Sequence, residues 1–327
     1  MATPQILIPP MPDRLDGVRR RVGVEVEFTG LDAHQAAGLV VELYGGSVER
    51  LDEHRNAVRG SRLGDFRIEL DMMAAHPDKS GAEQPRGKLD RLEERFRGLV
   101  GDVGSLIMPY EIICPPVEIE RLEEVDLLVR TLRERGAVGT EGGLLYAFGL
   151  HLNPEIPSRD GGPLLDILKA YLLLSPWLRQ DIDVDLARRV SPFIQKFADE
   201  YVSLVVDPNY RPDLRRWAED YVRANPSRNR ELDLFPLFAE LVPDVLKLAP
   251  GDPHIRKRPT FHWRLPNSLV GVKDWSIVPD WNRWVQVERL ASDRWALDEL
   301  GALWRDCQRC RALEDWPQLV ARWLPPT

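Results

Sequence analysis

Cysteine is scarce in this chain: Cys114, Cys307 and Cys310 are its only thiols in 327 residues. So few cannot frame a disulfide-stapled fold, and a reducing cytoplasmic setting is the expectation. Long apolar runs are missing too. The longest, Ala170 to Leu174, stops at Ser175-Pro176, far below the roughly 20 residues of a bilayer span, so no membrane association is expected. The first residues, MATPQILIPPMP, offer neither a basic region nor a continuous apolar one, which argues against a secretory leader. Positive charge is in deficit. The 44 Lys and Arg against 52 Asp and Glu give a net charge of −8, and no broad basic surface is expected to grip nucleic acid. What is present is ordinary for a globular protein: 43% hydrophobic and 29% charged residues exclude disordered, collagen-like and coiled-coil classes. The length suits two average domains, or one larger domain with an insertion.

Along the chain, Arg21 to Phe28 alternates apolar and polar residues as a half-buried strand does, and Phe66 to Leu70 repeats the signal. Between them Asp32 is placed to cap a helix running through Leu43, which Gly45-Gly46 would end. Pro77 to Gly87 reads as a loop and Leu89 to Leu99 as a helix. Tyr110 to Cys114 is a short strand stopped by Pro115-Pro116, since proline cannot donate to a ladder. An amphipathic helix follows from about Ile119 to Arg135, ending at Gly136, and Leu144 to Leu152 is strand-like again. From Pro163 to about Leu248 the apolar residues fall at helical spacing, Thr260 to Leu265 returns to strand character, and Trp295 to Leu313 reads as a final helix. Strands that alternate in polarity favour a one-sided antiparallel sheet over a parallel one buried on both faces. The expected class is therefore α+β, with a sheet whose one face is polar and whose other face carries helices. Residues 1–20 read as an N-terminal extension and 21–327 as one catalytic domain with a mainly helical insertion at about 160–255.

Residues two apart on a strand share a face at roughly 6.6 Å spacing. Sorting by that rule sets Val24, Val26 and Phe28 against Gly23, Glu25 and Glu27, and Phe66, Ile68 and Leu70 against Arg67, Glu69 and Asp71. Glu111 stands between Tyr110 and Ile112. Leu150 and Leu152 oppose Gly149, His151 and Asn153, while Phe261, Trp263 and Leu265 oppose Thr260, His262 and Arg264. The polar faces together hold five carboxylates, two Arg, two His and one Asn, with no Lys or Gln. A merely solvated sheet face carries polar residues as well, but it is usually rich in Lys, Thr, Ser and Gln. Clustered carboxylates repel unless something positive sits among them. Hard oxygen ligands of this kind suit Mg²⁺ or Mn²⁺, completed by phosphate oxygens, and Arg and His would offset the charge of a transferring phosphoryl group.

Four of these segments resemble, in order, the motifs of the amidoligase family: Gly23-Val24-Glu25-Val26-Glu27-Phe28, Glu111-Ile112-Ile113-Cys114-Pro115-Pro116, Gly149-Leu150-His151-Leu152-Asn153 and Pro259-Thr260-Phe261-His262-Trp263-Arg264. Asn229-Arg230 ahead of Leu232-Asp233-Leu234 looks like the family's arginine-containing segment. The family comprises carboxylate–amine ligases related in fold to glutamine synthetase and glutamate–cysteine ligase. The resemblance implies a sheet cradling ATP and Mg²⁺ (or Mn²⁺). It assigns Glu25, Glu27 and Glu111 to the metal, with Glu69 or Asp71 in reserve, and His151 and Asn153 to phosphate or metal. It assigns Arg264, and with it Arg230 and His262, to the chemistry. Substrates would be small-molecule or peptide carboxylates and amines joined through an acyl phosphate; the oligomeric state is not readable. The chain departs from the family pattern where Asn153 replaces the second His of HxH, where His262 replaces an acid, and where Cys114 replaces a Ser. These departures leave open a catalytically degenerate module that binds a nucleotide or peptide, with a metal-dependent hydrolase as a more distant reading.

Other features read as structural. Cys307 and Cys310 have the spacing of a zinc or redox pair but no second pair, and read as ordinary thiols. Trp275, Trp281 and Trp284 read as packing. Arg256-Lys257-Arg258 reads as a solvated loop, though it precedes the proposed phosphate-binding strand.

Overall fold

The computed structural model of the protein describes residues 4–70, 108–143, 146–185, 188–189, 194–249, 255–310, 312–313 and 315–324. Asp71, the loop expected over Pro77 to Gly87 and the helix expected over Leu89 to Leu99 lie outside the described residues, as do Leu144 and Leu145.

Alternating burial builds the strands. Along β1 (Arg21–Phe28), Val22, Val24, Val26 and Phe28 enter the core. The other strands are β2 (Ser47–Arg50), β3 (Arg55–Ser61), β4 (Gly64–Leu70), β5 (Tyr110–Ile113), β6 (Val117–Glu118), β7 (Leu150–Pro154), β8 (Leu232–Asp233) and β9 (His262–Trp263). All nine join one antiparallel open sheet in the order β2-β3-β4-β5-β1-β7-β9-β8, with β6 pairing Arg21 and Val22 at the start of β1. The five segments whose alternation marks them as strands therefore lie side by side as β4-β5-β1-β7-β9.

The helices are α1 (Ala33–Tyr44), α2 (Leu122–Glu134), α3 (Gly161–Asp181), α4 (Asp199–Val206), α5 (Leu214–Ala224), α6 (Phe235–Leu241), α7 (Val278–Ser292), α8 (Arg294–Arg309) and α9 (Trp316–Ala321). Asp32 caps α1 as expected: its carboxylate accepts the Gln35 N–H at 2.8 Å while Gln35 returns a bond to the Asp32 N–H, and Gly45 ends the helix at φ +73°. Helices cover the apolar side of the sheet. Tyr44 of α1 stacks on Phe66 of β4 with ring centres 5.6 Å apart, and Trp284 of α7 packs on Phe261 and on Trp263 of β9. Trp281 and Trp284 are thus core residues. Among the described residues no helix is long and apolar enough to cross a membrane.

Several expected boundaries move. Strand β7 begins at Leu150; just before it the carbonyls of Tyr146 and Phe148 accept from the Thr140 hydroxyl, and Phe148 also accepts the Ser268 N–H. Strand β9 is only two residues long. Arg188 takes the carbonyls of Arg264, Leu265 and Pro266, and Pro259 and Pro266 bracket the segment. Strand β8 interrupts the stretch from Pro163 to about Leu248 that reads as mainly helical. The helix expected last, over Trp295 to Leu313, runs Arg294–Arg309 as α8, with Asp293 capping it through the Ala296 N–H, and α9 follows it. The hairpin of β2 and β3 and helix α7 have no counterpart in the sequence reading.

Candidate active site

Register places the polar side chains before any side-chain contact does. Glu27 sits opposite Glu111, Glu111 opposite Glu69, Glu25 opposite His151, Gly23 opposite Asn153, and His262 opposite Asp233. A row of polar residues therefore crosses five adjacent strands on the face away from the helices. This face is not an ordinary solvated one: Glu25, Glu27 and Glu111 keep only 6%, 7% and 9% of their surface, and Asn153 and His262 are buried as well. Buried carboxylates need compensation.

His151 lies at the centre. Its Nδ1 is 3.2 Å from Glu25 Oε2 and 3.6 Å from Glu111 Oε1, and its Nε2 is 3.5 Å from Glu27 Oε1. The other oxygen of Glu25 accepts from Asn153 Nδ2 at 3.0 Å and from Arg258 Nη1 at 2.9 Å. Burial works to raise the Glu25 carboxyl, but the His151 hydrogen bond and the nearby His262 and Arg258 hold it well below its ordinary value. Glu27 accepts the Gly149 N–H at 2.7 Å. Glycine is required there by contact: a Cβ on Gly149 would come within 2.8 Å of Arg188 Nη2 and 3.0 Å of His151 Nε2. His262 Nδ1 is 2.5 Å from Asn153 Oδ1, and its ring stands edge-on to His151 with centres 5.3 Å apart. Burial and then Arg264 push its pKa well below the usual histidine value.

The donor chemistry fits a divalent cation. Ligand atoms of Glu25, His151 and His262 all lie within 4.8 Å of one another, and so do those of Glu27, Glu111 and His151. Glu69 shares the row, but its carboxylate pairs with Arg67 at 2.6 Å; Asp71 lies outside the described residues. Cationic groups flank the patch. Arg264 reaches Asp233 at 3.4 Å, beside Arg228 at 2.9 Å. Arg230 instead contacts the Lys196 carbonyl and the Phe197 ring. Among the described residues the buried Nε atoms of Arg264 and Arg230 have no hydrogen-bond partner, an arrangement suited to an anionic guest.

Two contributors escaped the sequence reading. Arg258 belongs to the basic run but bonds Glu25 and is no mere solvated loop residue. Arg188 is buried against the carbonyls of β9's far end, and burial lowers its guanidinium to about 10 although Glu27 and Asp185 oppose the shift. Nothing in the spacing around Arg188 signals this, since its partners lie 76 to 78 residues away.

Cys307 and Cys310 are free thiols, half-buried and exposed. No curated protein and no solved structure matches the chain. Residues 18–286 match the family model described as "Putative amidoligase enzyme", a span that holds every described residue of the patch. That match supports a ligase, and the chain belongs to the amidoligase family.

Proposed function

We propose that the protein is an ATP-dependent carboxylate–amine ligase that works through an acyl phosphate. One observation carries the reading: four adjacent strands, β5-β1-β7-β9, turn three carboxylates and two imidazoles into one patch bordered by Arg258 and by Arg264, whose buried Nε has no partner among the described residues. An amide does not form from a carboxylate and an amine in water without activation. The acid's oxygen attacks the γ-phosphorus, ADP leaves, the amine attacks the acyl carbon, and phosphate departs with its oxygen while the amine loses a proton.

In this reading Glu25, Glu27, Glu111 and His151 hold Mg²⁺ or Mn²⁺, and the metal, when bound, offsets the charge of the ATP phosphates. Glu69 remains a reserve ligand once released from Arg67. Arg264 neutralises the phosphoryl oxygens, with Arg258 bordering the same space and Arg230 a further cation once released from the Lys196 carbonyl, and the buried setting strengthens each of these attractions. The substrates are small-molecule or peptide acids and amines.

Hydroxylamine provides the test. Amino acids, short peptides and cell-wall precursors are screened with ATP and Mg²⁺, and ADP release together with a trapped hydroxamate is the expected result. ADP release no greater than that of a Glu111→Ala control across the screen and across metabolite-rich extract would refute ligase activity, and nucleotide binding without turnover would identify a binding module.

A further inference from the structure

The Asn153 amide stands between a carboxylate and a ring, and its two ends are not interchangeable. An ionised carboxylate only accepts hydrogen bonds. Asn153 therefore turns its NH₂ to Glu25 Oε1, at 3.0 Å, and its oxygen to His262 Nδ1, at 2.5 Å. An amide oxygen cannot donate, so the proton of this contact belongs to Nδ1, and Nε2 is the ring nitrogen left to offer a lone pair to a metal. Backbone geometry holds the relay in place. Asn153 faces Gly23 in register, and a Cβ there would come within 3.3 Å of the Asn153 Cβ. His262 is fixed by its own pairing with Asp233 across β8 and β9.

We infer that the Glu25–Asn153–His262 relay presets Nε2 of His262 as a nitrogen ligand, so that the Glu25–His151–His262 cluster selects a nitrogen-accepting divalent transition metal such as Co²⁺ or Zn²⁺ over Mg²⁺. This rests on the metal-binding part of the function proposed above. Two imidazoles and one carboxylate make a donor set of borderline softness, whereas Mg²⁺ prefers oxygen throughout. The neighbouring Glu27–Glu111–His151 cluster holds two carboxylates and one imidazole, so the two clusters differ in metal preference although they share His151. Asn153 acts here as a positioning residue: both ends of its amide are occupied within the protein, and it affects the metal only by fixing His262.

Calorimetric titration of the full chain with Co²⁺ and separately with Mg²⁺, together with low-temperature pulsed electron paramagnetic resonance of the Co²⁺-loaded protein, tests this. The wild-type chain is expected to bind Co²⁺ at least about tenfold more tightly than Mg²⁺ and to show two directly bound nitrogens. His262→Gln replaces the ring nitrogen by an amide group, and Asn153→Leu removes the relay. Each should weaken Co²⁺ roughly 10–100-fold while leaving Mg²⁺ affinity within about threefold, and His262→Gln should lose one nitrogen coupling. A wild-type spectrum with one nitrogen, or a Co²⁺ to Mg²⁺ ratio unchanged in a folded His262→Gln, overturns the inference and leaves metal binding by the carboxylates standing. Binding of neither metal by the wild-type chain overturns both. The nitrogen count in the wild-type protein needs no variant, so it decides the matter even if both substitutions impair folding.

Discussion

Two buried carboxylates of this protein have met opposite fates. Glu288, on α7, is fully satisfied: Arg20 grips both its oxygens at 2.7 Å each, Trp284 donates to one of them, and the remaining Arg20 donors reach the carbonyls of Glu155 and Met11. Arg20 and Glu288 retain 1% and 0% exposure, so the pair is closed to any newcomer. Glu25 is as deeply placed but belongs to an unbalanced group. Beside it Glu27, Glu111 and Glu69 stand directly opposite one another across three strands, while the Nε of Arg264 has no partner among the described residues. The first carboxylate is matched by one dedicated guanidinium; the second shares its compensation with a crowd of other acids.

The largest effect should come from breaking the closed pair. Glu288→Gln leaves Arg20 charged and uncompensated, and denaturant unfolding should show a loss of about 3–5 kcal/mol, against a much smaller change for Glu25→Gln. Next is Arg264→Ala, which should leave the unfolding midpoint nearly unchanged and lower ADP release about 10²–10³-fold. Arg264→Lys should recover part of this, keeping the charge while losing the planar fork.

Asp280 sharpens the comparison between the two extremes. Arg283 pairs with it at 2.9 Å, yet burial outweighs the pairing and raises its pKa to about 6. A carboxyl raised above its unfolded value binds more protons in the folded state, so its contribution to stability is present at low pH and is lost as pH rises from about 4 through 6. Measured against Asp280→Asn, the wild-type unfolding free energy should fall across that window by an amount on the order of 2 kcal/mol. A difference that does not vary with pH would show Arg283 to be a full partner. Smallest is Glu111→Gln. Removing one of three opposed charges should raise stability by roughly 0.2–1 kcal/mol while weakening divalent metal binding, which calorimetry would detect.

How much of this was legible depended on distance along the chain. The period-two pattern found the strands β1, β4 and β5 and sorted their faces, because alternation is local and one side of each is packed against helices. It also sorted His151 from Leu150 and His262 from Trp263, although the lengths of β7 and β9 were misjudged. Next to their ends the chain meets Thr140 and Arg188, side chains whose hydrogen bonds no local pattern reports. Strand β2 lacked a signal for the converse reason: Ser47–Arg50 buries nothing, so no apolar alternation marks it; β3 buries the consecutive residues Asn56, Ala57 and Val58, which breaks the alternation instead. Helix α7 buries Trp281, Trp284, Val285, Val287 and even Glu288, which erases the single apolar stripe of a surface helix. At the site, residue types and order were readable together with the family resemblance. The roles of Arg258 and Arg188 waited on tertiary contacts.

The two ends of the sheet bear on how the molecule behaves at high concentration. Strand β2 closes one end with four exposed residues, Ser-Val-Glu-Arg, and Glu49 there pairs with Arg59 of β3, which also holds Asp65. Strand β8 closes the other with only two. Unpaired strand edges invite another chain to add on, and short, charged edges discourage it. Crowding should therefore not draw this protein into edge-to-edge aggregates. Replacing Glu49 and Arg59 by threonine would turn the longer edge into an adhesive one, with light scattering rising at high concentration before any change in the folded signal.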